Sequence, residues 1–358
     1  MLFSKTKVLI VDDSAIVRQA LAKVLSRRSG IEVVGAARDA YEAKEQILRL
    51  KPDVLLLDID MPRMDGITFI KILMQHHPMP VVVLSYLTRS GSNAAMECAQ
   101  AGAIEVMPKP SSDHEVAILG DELAMKLKAA ASAKIRRPSA PISTQSSTPQ
   151  NRVFSGSTNN RQLILMGAST GGTEALKELL AKLPANLPPI LIVQHIPPEF
   201  SKAFADRVNK YCPFKVKEAE NGEIARPSHA YVAPGDYHML TDWQGSHYQI
   251  KLNQGPSVWH QRPAVDTLFK SAAEYCDSSF VAALLTGMGK DGAEGMKILR
   301  ERGAYTIGQD EETSAVYGMP KAAMEAGGVV DQLPLDKISD ALLKHLRSLR
   351  SPRLAGRN

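Results

Sequence analysis

Short β-branched and leucine-rich runs recur along this chain, and stretches of helical period separate them. That alternation limits the fold more than any other feature. Strands separated by helices pair in parallel and need helices on both faces of the sheet. Such runs are expected as strands over residues 8–11, 31–37, 54–57, 81–84 and 104–107. A second set is expected over 163–166, 190–193, 229–233, 281–285 and 305–308. Between them, apolar residues recur at helical spacing over 14–28, 174–182, 264–273 and 292–302. Runs such as the VLLL of residues 54–57 are continuously apolar, which fits a sheet buried on both sides.

The two sets are interrupted by RRPSAPISTQSSTPQ, residues 136–150, which is rich in Ser, Thr, Pro and Gln and has no period. Such a segment cannot bury enough apolar surface to fold alone and reads as a linker. The 358 residues therefore divide into an α/β domain over 1–125, a basic linker over 126–160 and a second α/β domain over 161–350. Both are expected as doubly wound parallel sheets. The two halves carry different motifs, so they are not repeats.

Charge placement argues against nucleic acid as a partner. No acidic residue occurs between Glu122 and Glu174, and seven basic residues from Lys126 to Arg161 fall in that gap. Removing those seven from the formal charge of +5 leaves the remainder at −2, so no basic face is expected on a folded domain. No apolar run reaches the roughly 20 residues that span a bilayer. The apolar stretch before Asp12 is too short for a secretory core, so a cytoplasmic protein without membrane insertion is expected. Cys98, Cys212 and Cys276 are odd in number and widely spaced, which suits neither a disulfide framework nor a metal pair.

Polar residues at the strand ends carry the chemistry. Asp12 and Asp13 follow the first strand, Asp58 the third, Ser85 the fourth and Lys109 the fifth. Ligands of open parallel sheets bind beyond the carboxyl ends of strands, so these five should converge. Clustered carboxylates repel, and a hard cation such as Mg²⁺ relieves the repulsion. With a hydroxyl and an ammonium beside them, they suit a phosphoryl group carried by Asp58. A single Asp after a strand is usually a turn or cap residue; five such positions in order are not explained that way.

In the second half, LILMGASTGGTEALKELL runs from strand through a Gly-rich turn to helix, and Gly167-Ala168-Ser169-Thr170-Gly171 matches G-x-S-x-G. A sharp turn of small residues lifts a serine hydroxyl clear of the sheet, beside helix N-terminal N–H groups. A phosphate loop is the rival reading, but the next strand ends in Gln194-His195 where a dinucleotide site usually has an acid for the ribose. Asp291 follows a further strand after Gly287-Met288-Gly289-Lys290, a run that lacks the hydroxyl residue a phosphate loop needs. Alone, His195 reads as structural and Asp291 as a helix cap. Together with Ser169 they form nucleophile, base and orienting carboxylate. No zinc-binding spacing involves His238 or His260.

The first constellation resembles the receiver domain of two-component response regulators over residues 1–125. That resemblance implies a flavodoxin-like doubly wound sheet, with Asp58 as phospho-acceptor, Asp12, Asp13 and the Asp60 carbonyl as further Mg²⁺ ligands, Ser85 and Lys109 as readers of the phosphoryl group, and a sensor histidine kinase as phosphodonor. Val106 stands where many receivers carry an aromatic residue, so readout by a swinging ring is not implied. The stretches GASTGGTEAL, VQHIPPEF, YVAPGDYHM, RPAVDTLF and LLTGMGKDGAEGM resemble chemotaxis protein-glutamate methylesterases across 161–350. From that resemblance Ser169, His195 and Asp291 are expected as the triad, with the Met288 N–H and, more weakly, Thr170 at the oxyanion. It also implies hydrolysis of glutamate γ-methyl esters on chemoreceptors, deamidation of glutamines at the same sites, and no cofactor for the esterase step. The receiver is expected to restrain the esterase until Asp58 is phosphorylated. Two other readings stay open here: a non-catalytic receptor-docking regulator under receiver control, and a receiver with a DNA-binding output. A compact, basic helical module is missing, which speaks against the latter.

Overall fold

The computed structural model describes residues 5–86, 89–109, 113–135, 154 and 159–349. Contacts divide the chain into two compact units.

The first unit is a five-stranded sheet in the order β2-β1-β3-β4-β5, parallel throughout. Its strands are β1 (Thr6–Val11), β2 (Ile31–Ala37), β3 (Val54–Asp58), β4 (Val81–Ser85) and β5 (Glu105–Pro108). The helices are α1 (Ala15–Leu25), α2 (Ala40–Leu50), α3 (Gly66–His76), α4 (Arg89–Ala101) and α5 (Asp113–Ala131). Every residue of β3 and β4 is buried, as strands covered on both faces require. Strand order reverses between β1 and β3, which opens a crevice at their carboxyl ends.

The linker expected from residue 126 starts later than its composition suggests. α5 runs to Ala131, and Leu127 and Ala130 belong to the first unit's apolar core. Lys126 is no linker charge either. It is buried against Glu105 and Glu122, at 3.3 and 3.5 Å. Burial alone would depress its ammonium, but the two carboxylates outweigh that and raise its pKa. Residues 136–153 and 155–158 of the expected linker lie outside the described residues.

The second unit is built on a seven-stranded sheet in the order β14-β13-β12-β6-β7-β9-β8, again parallel. Its strands are β6 (Leu163–Ala168), β7 (Ile190–Gln194), β8 (Lys215–Glu218), β9 (His229–Val232), β12 (Phe280–Leu284), β13 (Tyr305–Gln309) and β14 (Asp331–Leu333). Helices α6 (Gly172–Ala181), α7 (Phe200–Asn209), α8 (Val265–Ala273), α9 (Ala293–Glu301), α10 (Met319–Glu325) and α11 (Leu335–Ser348) connect and cover them. An antiparallel hairpin, β10 (His238–Trp243) with β11 (Tyr248–Asn253), stands apart from the sheet. It contributes Met239, Tyr248 and Ile250 to the same core as Phe269 of α8 and Phe280 of β12. Burying each of those aromatic side chains contributes about 2–3 kcal/mol. The chain runs outward from β6 in one direction, then returns to start β12 on its other side. The switch point therefore lies between β6 and β12.

Candidate active site

Ser169 sits directly beyond β6, at the switch point. Its backbone N–H donates to the Thr286 carbonyl at 3.0 Å, and its own carbonyl accepts from Gly172 N–H at 2.7 Å. The second bond closes a tight turn through Gly171, whose φ of 75° lies in the left-handed region that glycine adopts without penalty. That turn delivers the serine side chain to the start of α6.

His195 follows β7 and Asp291 follows the loop after β12. Ser169, His195 and Asp291 are 7%, 4% and 1% exposed. His195 Nδ1 lies 3.1 Å from Ser169 Oγ, and His195 Nε2 lies 2.7 Å from Asp291 Oδ2. An ionised carboxylate only accepts, which assigns the imidazole proton to Nε2. Nδ1 is then left to accept from the serine hydroxyl. Asp291 also accepts from the N–H groups of Val265 and Asp266, at 2.6 and 2.8 Å. The first turn of α8 thus fixes the orientation of the Asp291 carboxylate against His195.

The turn at Gly287–Gly289 abuts Ser169. A Cβ placed on Gly287 would lie 2.7 Å from Ser169 Cβ, so only glycine permits the approach. Gly287 is held from the far side as well. Its N–H donates to the Val316 carbonyl at 3.0 Å, and its carbonyl accepts from Gly318 and Met319 at 3.1 and 2.8 Å. Among the described residues, the Met288 N–H between Gly287 and Gly289 donates to no protein acceptor. Thr170 is buried, with its carbonyl accepting from Thr286 Oγ1 at 3.0 Å.

The acidic cluster of the first unit lies at the β1/β3 crevice. Carboxylate oxygens of Asp12, Asp13 and Asp58 all fall within 4.8 Å of one another. Lys109 Nζ reaches Asp58 Oδ2 at 2.7 Å and Asp12 Oδ2 at 2.9 Å. Arg18 Nη1 donates to the carbonyls of Asp12 and Asp13 at 2.7 and 2.9 Å, fixing the acidic turn from behind. Ser85 is buried at the end of β4, and its carbonyl accepts from the Lys109 N–H at 2.7 Å. Asp60 lies in the turn after β3, two residues beyond Asp58.

Burial pushes the Asp58 carboxyl up to about 6. The hydrogen bond and charge of Lys109 oppose the shift, and the charge of Asp12 adds to it. Burial would lower Lys109, but Asp58 and Asp12 outweigh it and its pKa is raised. Asp58 Oδ1 is buried without a hydrogen-bond partner. An all-oxygen donor set with an orphaned buried carboxylate oxygen fits Mg²⁺. All three cysteine thiols are free, and burial pushes each up to about 12.

Residues 164–342 match the CheB methylesterase family, and residues 8–118 match the response regulator receiver domain. The protein-glutamate methylesterase/protein-glutamine glutaminase 2 of Syntrophus aciditrophicus (strain SB) is 45% identical over 95% of this chain and 99% of its own length. The Escherichia coli (strain K12) protein-glutamate methylesterase/protein-glutamine glutaminase is 42% identical over 98% of this chain and 100% of its own. The chain belongs to the CheB methylesterase family. In three dimensions, the Thermotoga maritima CheB methylesterase catalytic domain superposes with a TM-score of 0.50. It is 39% identical and covers 52% of this chain and 99% of that domain.

Several supports of the CheB site are not apparent from motif reading. Gln194, the last residue of β7, is 2% exposed, and its Nε2 donates to the carbonyls of Ser169 and His195 at 2.9 and 3.0 Å. One amide therefore ties the Ser169 turn to the strand that carries His195. Gln309 is fully buried at the end of β13 and holds the Thr286 N–H at 2.8 Å, one residue before Gly287. Asp266 accepts from the Gly295 N–H of α9 at 2.7 Å, while Asp291 caps α8, so the two helices are pinned reciprocally. The available signal was a polar residue ending an apolar strand, as in VQ of β7 and GQ of β13.

Proposed function

We infer that this chain hydrolyses glutamate γ-methyl esters on chemoreceptors, releasing methanol, and deamidates glutamines at equivalent positions, under control of phosphorylation at Asp58. The observation that carries the reading is the buried Ser169–His195–Asp291 relay, with both imidazole nitrogens engaged at 3.1 and 2.7 Å. The names of the relatives supply the substrate class.

In this mechanism Ser169 Oγ attacks the γ-carbonyl and passes its proton to His195 Nδ1. Negative charge on the former carbonyl oxygen is met by the Met288 N–H, with Thr170 as a second contributor. A single positioned donor of this kind is worth about 3 kcal/mol. The intermediate collapses as imidazolium returns the proton to the leaving methoxide, or to the departing amine of a glutamine. Water, deprotonated by His195, then splits the acyl-serine, giving glutamate and free Ser169. Asp291 holds the tautomer and stabilises the imidazolium at each step.

In the receiver, Asp12, Asp13, Asp58 and the Asp60 carbonyl would hold Mg²⁺. Bound there, the ion would neutralise charge on the transferring phosphoryl group. Asp58 acts as nucleophile toward the phosphoryl group of a sensor histidine kinase, while Lys109 and Ser85 contact the phosphoryl oxygens. No described helix is long and apolar enough to cross a membrane. A cytoplasmic enzyme acting on the cytoplasmic helices of receptors is the corresponding proposal.

The test is methanol release from radiolabelled, methylated receptor membranes. Wild type should release methanol, more so with a small-molecule phosphodonor and Mg²⁺. Ser169→Ala should lose at least about 10⁴-fold in rate while folding normally. A wild type that releases none in either state refutes the assignment.

A further inference from the structure

Beside the triad, a loop ends in a turn that ordinary residues avoid. Val258 and Gln261 exchange backbone hydrogen bonds of 3.1 and 2.9 Å, leaving Trp259 and His260 as the two central residues. Their φ values are 53° and 62°. Two successive left-handed residues define a turn normally built from Asn-Gly, because a Cβ is unfavourable there. Strain of this kind persists where surrounding structure imposes it, and it clusters at functional sites.

Hydrogen bonds at the base and the tip of the loop impose it. At the base of the loop, Arg262 Nε donates to Asp236 Oδ1 at 2.9 Å, and Arg262 Nη1 to the Gly255 carbonyl at 3.0 Å. His238 accepts from the Ala264 N–H at Nδ1 and donates from Nε2 to the Pro256 carbonyl. At the tip, Trp259 Nε1 donates to Asp266 Oδ2 at 2.9 Å, and the Asp266 N–H donates to Asp291 Oδ1 at 2.8 Å. The indole is thus two hydrogen bonds from the triad carboxylate. Lys290, which separates the Gly287–Gly289 turn from Asp291, places Nζ 4.0 Å from the centre of the Trp259 ring. Lys290 is exposed and has no carboxylate partner among the described residues.

A tryptophan that only filled space would be buried, yet Trp259 is 44% exposed. We propose that the Trp259–His260 tip, with Lys290 seated on the indole, is a specificity-determining platform. It grips the polypeptide on either side of the scissile glutamyl side chain and favours a carboxylate-bearing neighbour. The inference rests on the methylesterase reading above. An indole fixed at both ends adds contact area without ordering a loop on binding, and the unpaired cation selects an acidic flank.

The experiment compares kcat/KM on methylated receptor membranes with kcat/KM on N-acetylglutamate γ-methyl ester amide, which has the same scissile bond and no flanking residues. Full-length wild type, Trp259→Ala, Trp259→Phe and Lys290→Gln are measured, with unfolding temperatures as the check on folding. For Trp259→Ala the ratio of receptor to single-residue activity should fall about tenfold, carried mainly by KM. Lys290→Gln should lower the ratio less and flatten its dependence on ionic strength. Trp259→Phe keeps a ring at the tip and should retain most of the ratio. Equal losses on both substrates, or no loss on either, overturn the platform. Should Trp259→Ala fail to fold, an unchanged ratio and salt dependence in Lys290→Gln overturns it. A wild type active on the small ester but not on receptors overturns the methylesterase reading and the platform with it.

Discussion

Asp291 and Asp58 are both 1% exposed, and their surroundings fit them for different tasks. Three donors converge on Asp291, two of them backbone N–H groups of α8, so its carboxylate is held still. Asp58 has an unpartnered oxygen and one ammonium, and burial pushes its carboxyl up to about 6 from 3.8. A carboxyl whose pKa is raised by folding binds its proton more tightly in the native state. Its contribution is therefore favourable in acid and is lost as pH rises from about 4 through about 6. At pH 7.5 without divalent cation, wild type bears the full penalty. Asp58→Asn should then stabilise the receiver by about 1–3 kcal/mol, less than the full shift because the Lys109 pair is also lost. The gain should shrink toward pH 4 and on adding Mg²⁺. Unfolding of the receiver followed against pH in chelator checks the sign; a less stable Asn variant at pH 7.5 contradicts it.

Strand ends and turns build the geometry of the candidate site at the next scale. The chain beyond β6, β7 and β12 delivers Ser169, His195 and Asp291 in turn, and the segment 316–319 presses the Gly287 turn against Ser169. Gly287→Ala would drive a methyl into Ser169 Cβ and Met319 Sδ. Because displacements near 1 Å can cost about 100-fold, kcat should fall by about ten- to a hundredfold. Phosphorylation of Asp58 should be unaffected, and parallel assays of the two activities separate a local effect from unfolding. Elements that carry strong apolar runs were legible in sequence, and Ile31–Ala37 agrees with its expectation end to end. β8, β14 and the β10–β11 hairpin were not. β14 has three residues with no buried position, and β8 buries only one of four, so neither shows the apolar run that marks a central strand. The end of α5 was missed because its alanines and lysines resemble the composition that follows.

For the whole molecule, each unit has its own crevice at a switch point, between β1 and β3 in one and between β6 and β12 in the other, and the proposed function assigns phosphoryl acceptance to the first and acyl transfer to the second. Control of one by the other predicts that deleting residues 1–150 raises basal ester hydrolysis severalfold and removes the response to phosphodonor. Methanol release from full-length and truncated enzyme decides it; equal basal rates would show that the receiver does not restrain the esterase.

Sequence alone determined the alternating architecture, its division into two α/β domains and the identity of the strand-end residues. These follow from local physics: apolar period, turn chemistry, and the rule that parallel strands place ligands at their carboxyl ends. Only the tertiary structure decided which imidazole nitrogen faces the serine. It alone showed that Gln194 and Gln309 brace the site, and that Trp259 stands in a left-handed turn hydrogen-bonded to Asp266. Those features arise between residues distant in the chain, where packing and long-range hydrogen bonds set the geometry and no local pattern records it.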